Sequence, residues 1–145
     1  MEGRVNPGFL IDTSALWELL RQPDVRLAWT PVVESGLVRI CEPTRAEFLY
    51  SATGPAHRDD LEGRLSEMFP LAGVPRGAWS WVDTAQYKLT QKSQHRSAGP
   101  LDLLLCATAV HHGLVVLHRD SDFATVARVV RDVEQRDIRD PYRTV

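Results

Sequence analysis

Phe9-Leu10-Ile11-Asp12-Thr13-Ser14-Ala15-Leu16-Trp17-Glu18-Leu19-Leu20 changes its period in the middle. The first three residues are an unbroken apolar run. After the polar trio Asp12-Thr13-Ser14, the apolar residues Ala15, Leu16, Leu19 and Leu20 recur at helical spacing. A short, wholly apolar strand that passes straight into a helix is the opening of a parallel α/β sheet covered on both faces.

The same alternation continues along the chain. A second helix follows Pro23, with Leu27, Val32 and Val33 turned inward, and Val38-Arg39-Ile40 offers a second strand. Pro43-Thr44 opens a third helix. Leu61, Leu65, Met68 and Phe69 mark an amphipathic helix over residues 57–69, and Trp79, Val82, Ala85 and Leu89 mark another. Gly99-Pro100 starts a helix that is apolar nearly all round; Gly113 ends it, directly before the strand Leu114-Val115-Val116-Leu117. The tail, Val129 to Val145, has no clean period and offers at most a last edge strand. The expectation is an α/β fold, a largely parallel central sheet flanked by helices on both faces, with residues 1–145 forming one domain.

Composition narrows the function. A chain of 145 residues buries roughly 70% of its unfolded surface, enough for a core without staples. The N-terminus, with Glu2 and Arg4, lacks a secretory apolar region, and the most apolar stretch, Leu101 to Val110, contains Asp102 and is too short to span a bilayer. A cytoplasmic protein without membrane contact is expected. Cys41 and Cys106 have no metal-ligand or Cys-x-x-Cys spacing and read as reduced core residues. A formal net charge of −2 is too low to hold nucleic acid by overall charge, so any RNA must be held by metal ions and local basic residues.

The acids accumulate where an open α/β sheet binds ligands, beyond the carboxyl ends of its strands. Asp12 follows the first strand, Glu47 lies in the first turn of the helix after the second, and Asp120 and Asp122 follow Leu114–Leu117. Asp102 sits in the first turn after Pro100. Each has a plain structural reading: Asp12 as a turn residue, Asp120-Ser121-Asp122 as a polar turn and cap, Thr44-Arg45-Ala46-Glu47 as a capping box, Asp102 as a partner of its helix dipole. Together they are harder to dismiss. Two like charges 4 Å apart repel by about 4 kcal/mol at an effective dielectric of 20, so a converging set calls for a cation. Hard oxygen donors select Mg²⁺ or Mn²⁺, and a carboxylate-held divalent pair suits phosphodiester hydrolysis by activating water and stabilising the leaving oxygen.

Asp12-Thr13-Ser14-Ala15-Leu16, Glu47-Phe48-Leu49, Pro100-Leu101-Asp102-Leu103-Leu104-Leu105-Cys106-Ala107-Thr108-Ala109 and Leu117-His118-Arg119-Asp120-Ser121-Asp122-Phe123 together resemble the PIN-domain nucleases, and most closely the VapC-type toxins of bacterial toxin–antitoxin modules. The resemblance covers nearly the whole chain in order. It implies a Mg²⁺- or Mn²⁺-dependent endoribonuclease in which Asp12, Glu47, Asp102 and Asp120 match the family's acidic quartet and Asp122 its frequent fifth acid. Asp12, Asp102 and Asp120 match metal-ligand positions, and Thr13 or Ser14 would order the site through a hydroxyl or backbone contact. It also implies a small VapB-like antitoxin that binds DNA by its N-terminal part and blocks the nuclease by its C-terminal part, often through an Arg in the acidic pocket. A homodimer is the common state of such toxins.

Other residues carry weaker signals. Lys88, Lys92, His95 and Arg96 precede the Asp102 helix and could position the RNA backbone; the plainer reading is a solvated helix face. Arg45 and Arg119 could balance the acids before metal arrives. His111-His112 sits in a last helical turn and reads as structural. Trp79 shares the stripe of Val82 and reads as core, which leaves Trp81 as the candidate for base stacking. Three alternatives stay open: a Mg²⁺-dependent phosphohydrolase, although Ser14 stands where an aspartyl-nucleophile enzyme usually has a second acid; a solitary nuclease of the same kind without an antitoxin; and an interaction module in which the acids are incidental. A nucleotide-sugar transferase is disfavoured because 145 residues leave little room for a donor-binding domain.

Overall fold

The computed structural model describes residues 8–142. The N-terminal residues 1–7 and the last three residues of the tail, on which two of the sequence expectations bear, lie outside the described residues. In chain order the elements are β1 (Phe9–Ile11), α1 (Thr13–Arg21), α2 (Pro23–Glu34), β2 (Val38–Arg39), α3 (Glu42–Leu49), α4 (Pro55–Met68), α5 (Ala78–Gln91), α6 (Pro100–His112), β3 (Val115–His118), α7 (Asp122–Val129) and β4 (Gln135–Asp137).

Among the described residues the strands form a four-stranded sheet in the order β2-β1-β3-β4, and every pairing is parallel. Side chains alternate across it as the pleat requires. Leu10 and Val116 join the core formed with α5, α6 and α7; Phe9, Ile11 and Leu117 join the opposite core, with Leu16 and Leu19 of α1, Trp29 of α2, Phe48 of α3 and Leu65 of α4. Helices therefore cover both faces, as expected. Full burial of a Leu, Ile or Phe side chain contributes roughly 2 kcal/mol, and β1 and most of β3 are buried, whereas the edge strand β4 is only partly so.

From β1 the chain crosses to β2 on one side, whereas β3 pairs with β1 on the other. The connections leaving the paired carboxyl ends of β1 and β3 thus run to opposite sides, a topological switch point, where an α/β sheet opens a crevice. The β1–β3 register, Ile11 opposite Leu117, continues to set Asp12 beside His118. The Asp12 amide donates to the Leu117 carbonyl at 3.0 Å.

Several local expectations are corrected. Leu27 is 77% exposed; α2 instead buries Trp29 and Val32, and a residue two positions from Trp29 lies about 200° round the helix from it. α3 starts at Glu42 with Cys41 as its N-cap, because Pro43 is tolerated within a first turn where its missing N–H costs nothing. Thr44 is therefore interior, buried beside the Cys41 thiol at 3.6 Å, and no capping box links it to Glu47. On α5 the buried stripe is Ala78, Val82, Ala85 and Leu89. Trp79, expected in the core, is 58% exposed, and Trp81, expected as a stacking surface, packs against the core and donates its indole N–H to Asp132 at 3.1 Å.

The edge strand is present as β4, and β3 runs one residue further than expected, to His118. Gly113 stops α6 with a left-handed φ of 68°. His112 donates from Nε2 to the Gly73 carbonyl at 2.8 Å, a structural role. Both cysteines are buried and free. No helix among the described residues is long and apolar enough to cross a membrane.

Candidate active site

Asp12 is the N-cap of α1. Its Oδ1 accepts from the Ala15 amide at 2.9 Å and from the Ser14 hydroxyl at 2.8 Å. Only 6% of Asp12 is exposed, and burial pushes its carboxyl up to about 6, against the opposing pull of the Ala15 and Ser14 hydrogen bonds. Ser14 does more than cap. Its oxygen also accepts from the Arg119 amide at 2.9 Å, which ties the β1–α1 turn to the β3–α7 turn across the switch point.

Asp102 occupies the third position of α6, where the Gly99 amide at the helix N-cap favours its charged form. Burial raises its pKa first; the charges of Asp120, Glu47 and Asp122 then raise it further. Acids from two other segments of the chain, α3 and the β3–α7 turn, therefore act on this one carboxyl. Asp12 and Asp102 are also both close enough to raise the buried Cys106 thiol after burial has done so.

Asp120 receives the Asp122 amide on Oδ1 at 3.0 Å, in the turn that leads into α7. Asp122 is raised by burial and then by Asp120. Glu47, in the second turn of α3 rather than the first, is exposed and accepts the Thr13 hydroxyl at 2.6 Å. Thr13 and Ser14 thus hold one acid each.

The charges meet, yet the carboxylates do not clasp. Among the described residues no three His, Cys, Asp or Glu side chains stand close enough to enclose an ion as they are placed. The donor set nonetheless fits a hard divalent cation: the oxygens are carboxylate, and the mutual repulsion that raises Asp102 is what such an ion relieves.

Two expected charge partners lie elsewhere. Arg45 pairs with Glu62 at 2.5 Å and Arg119 with Glu18 at 3.2 Å, so neither guanidinium neutralises the acids. Each finds a carboxylate on a helix beside it, which a side chain of that length reaches without entering the crevice. Lys92, His95 and Arg96 are exposed in the segment between α5 and α6 that leads to Asp102, and Lys88 is exposed on α5.

Sequence reasoning assigned no role to His118, Gln135 or Glu18. His118 is 2% exposed beside the acids. Its position next to Asp120 was visible in the chain, but its burial depended on the strand continuing one residue past Leu117.

A parallel sheet whose switch point gathers acids from four separated segments defines an acid-cluster α/β domain. The PIN domain family matches residues 9–129, and the chain belongs to that family. Ribonuclease VapC6 of Mycobacterium tuberculosis is 37% identical over 98 residues, covering 68% of this chain and 77% of that protein. Ribonuclease VapC21 of the same organism is 33% identical over 123 residues, covering 85% and 88%. Among solved structures, DNA-bound VapBC from Salmonella typhimurium superposes with a TM-score of 0.70 at 18% identity over 90% of this chain and 98% of that one. VapBC2 from Rickettsia felis, bound to a promoter DNA fragment, gives 0.72 at 12% identity over 89% and 97%. At these identities the superpositions speak for a common fold.

Proposed function

We propose that the chain is a Mg²⁺- or Mn²⁺-dependent endoribonuclease acting as the toxin of a type II toxin–antitoxin module. The observation that carries this reading is that Asp102, Glu47, Asp120 and Asp122 stand near enough at the mouth of a parallel sheet for the Asp102 carboxyl, raised first by its burial, to be raised further by the other three. The relatives named ribonucleases VapC6 and VapC21 support the reaction, and the solved VapBC assemblies support the antitoxin.

Asp12, Asp102 and Asp120 hold the metal, while Glu47 and Asp122 complete the acidic set. Asp12 is held for this role by Ser14 and Ala15. Thr13 steers Glu47, and Ser14 keeps the two loops in register. When bound, the metal would supply an activated water and charge stabilisation at the scissile phosphate. Lys92, His95 and Arg96 hold the RNA backbone as it approaches.

The anionic crevice equally suits an arginine from a VapB-like antitoxin, whose planar guanidinium pairs with carboxylates on two edges. The working form is a cytoplasmic homodimer.

The test is RNA cleavage by the purified chain with Mg²⁺, with EDTA, and with Asp12→Asn or Asp102→Asn. Cleavage should appear only with metal and fall at least a hundredfold in either variant. Hydrolysis of a phosphomonoester without RNA cleavage would favour the phosphohydrolase instead. Unchanged cleavage in both variants would overturn the assignment.

A further inference from the structure

His118 is buried at the end of β3, and each of its ring nitrogens is engaged. Nδ1 accepts the backbone N–H of Asp120 at 3.0 Å, and Nε2 lies 2.6 Å from Oε1 of Gln135 on β4. The Asp120 amide can only donate, so Nδ1 carries no proton and the ring's hydrogen sits on Nε2, directed at Gln135. The ring is also stacked against Phe123, with centroids 5.3 Å apart and planes at 32°. A side chain bonded at both nitrogens and packed on one face has a single orientation.

We propose that His118 is a positioning residue for Asp120, with Gln135 selecting its tautomer. The relay runs from Gln135 at the sheet edge, through the imidazole, to the Asp120 backbone. From there the Asp120 Oδ1, accepting from the Asp122 amide at 3.0 Å, is fixed at its second point. With the main chain held by His118 and one carboxylate oxygen held by α7, the other oxygen has a defined direction. Holding a ligand through its supporting shell is how metal sites gain affinity, and loss of such support commonly costs tenfold to a hundredfold. The proposal rests on the metal reading given above, and it gives β4 a purpose beyond closing the sheet: Gln135 is its first residue.

Two measurements on the full-length chain test it. In the metal-free protein, long-range ¹H–¹⁵N spectra should show a His118 ring protonated on Nε2 alone, and Gln135→Leu should redistribute that proton. The reverse tautomer in the wild type would overturn the relay without touching the metal assignment. In Mn²⁺ titrations, His118→Asn, whose amide oxygen can take the place of Nδ1, should bind within about threefold of wild type. His118→Phe keeps the ring against Phe123 but has no acceptor, and should bind at least tenfold more weakly; the melting temperature of each variant in EDTA verifies folding. Equal Mn²⁺ affinity in wild type and a folded His118→Phe overturns the proposal. Should His118→Phe fail to fold, His118→Asn decides alone, and a tenfold loss there overturns it. A wild type that binds no Mn²⁺ overturns the metal reading, and this proposal with it, whatever the tautomer.

Discussion

At the scale of single residues, the account turns on carboxylates kept where their charge is costly. Asp12 has a folded pKa of about 6 against 3.8 for the free group, a difference of roughly 3 kcal/mol between its protonated and ionised forms. Because the folded value is raised, the metal-free chain holds a proton between those pH values that the unfolded chain has lost. Its stability therefore falls as pH rises through that window and is flat on either side. Denaturant melts in EDTA should show wild type losing about 3 kcal/mol relative to Asp12→Asn between pH 4 and 7; a constant difference would remove the basis for a strained apo site. A cation competes with that proton, so Mn²⁺ affinity should climb steeply up to about pH 6 and level off above it, as isothermal titration would show. Asp102 feels both the Gly99 amide at the start of α6 and the other acids. Asp102→Asn keeps an acceptor for that amide and removes the repulsion, so its melting temperature in EDTA should equal or exceed that of wild type while Mn²⁺ binding drops more than tenfold. A lower apo melting temperature with intact binding would leave Asp102 as a helix-end residue and nothing more.

At the scale of elements, what was legible in the sequence was what local rules decide. The change of period at Asp12-Thr13-Ser14, the Pro100 start and the Gly113 stop each fix an end by backbone chemistry alone, and β1, α1 and α6 appear where expected. Asp12, Asp120 and Asp122 were placed by the same local rules, since they follow strand ends, whereas Glu47 and Asp102 lie on helices α3 and α6. What failed depended on helical phase or on partners far along the chain. Trp79 and Trp81 exchange the roles expected of them because one helical step, about 100°, separates the core stripe from solvent, and only the position of Asp132 decides where the Trp81 indole turns. The capping-box pattern at Thr44 misled because α3 begins two residues earlier, at Glu42. Arg45 and Arg119 sit next to acids in sequence but pair with Glu62 and Glu18. β4 has little apolar character of its own and is placed by its neighbours: the Trp29 indole donates to the Ile138 carbonyl at 2.7 Å, pinning α2 to the residue just after that strand. Trp29→Phe keeps most of the buried area but orphans that carbonyl, so chemical denaturation should show a loss of about 2 kcal/mol. A neutral substitution would mean that β4 is held by its ladder alone.

At the scale of the whole molecule, a fold with two ordinary cores, one on each face of a parallel sheet, concentrates its electrostatic conflict at a single edge. The side chains of Thr13 and Ser14 hold Glu47 and Asp12, the Ala15 and Asp122 amides hold Asp12 and Asp120, and the buried ring of His118 holds the Asp120 backbone. Such an arrangement should be stabilised by whatever binds it: at a metal concentration a hundred times its dissociation constant, unfolding should cost about 2.7 kcal/mol more than in EDTA, visible as a melting-temperature rise of several degrees. The location of the ion tests the account most directly. Crystals grown with Mn²⁺ and measured for anomalous scattering should show a peak about 2.1 Å from carboxylate oxygens of Asp12, Asp102 and Asp120, a spacing typical of a hard divalent ion and oxygen. A peak held by other residues, or none at saturating Mn²⁺, would contradict the claim that these acids meet in order to share a cation.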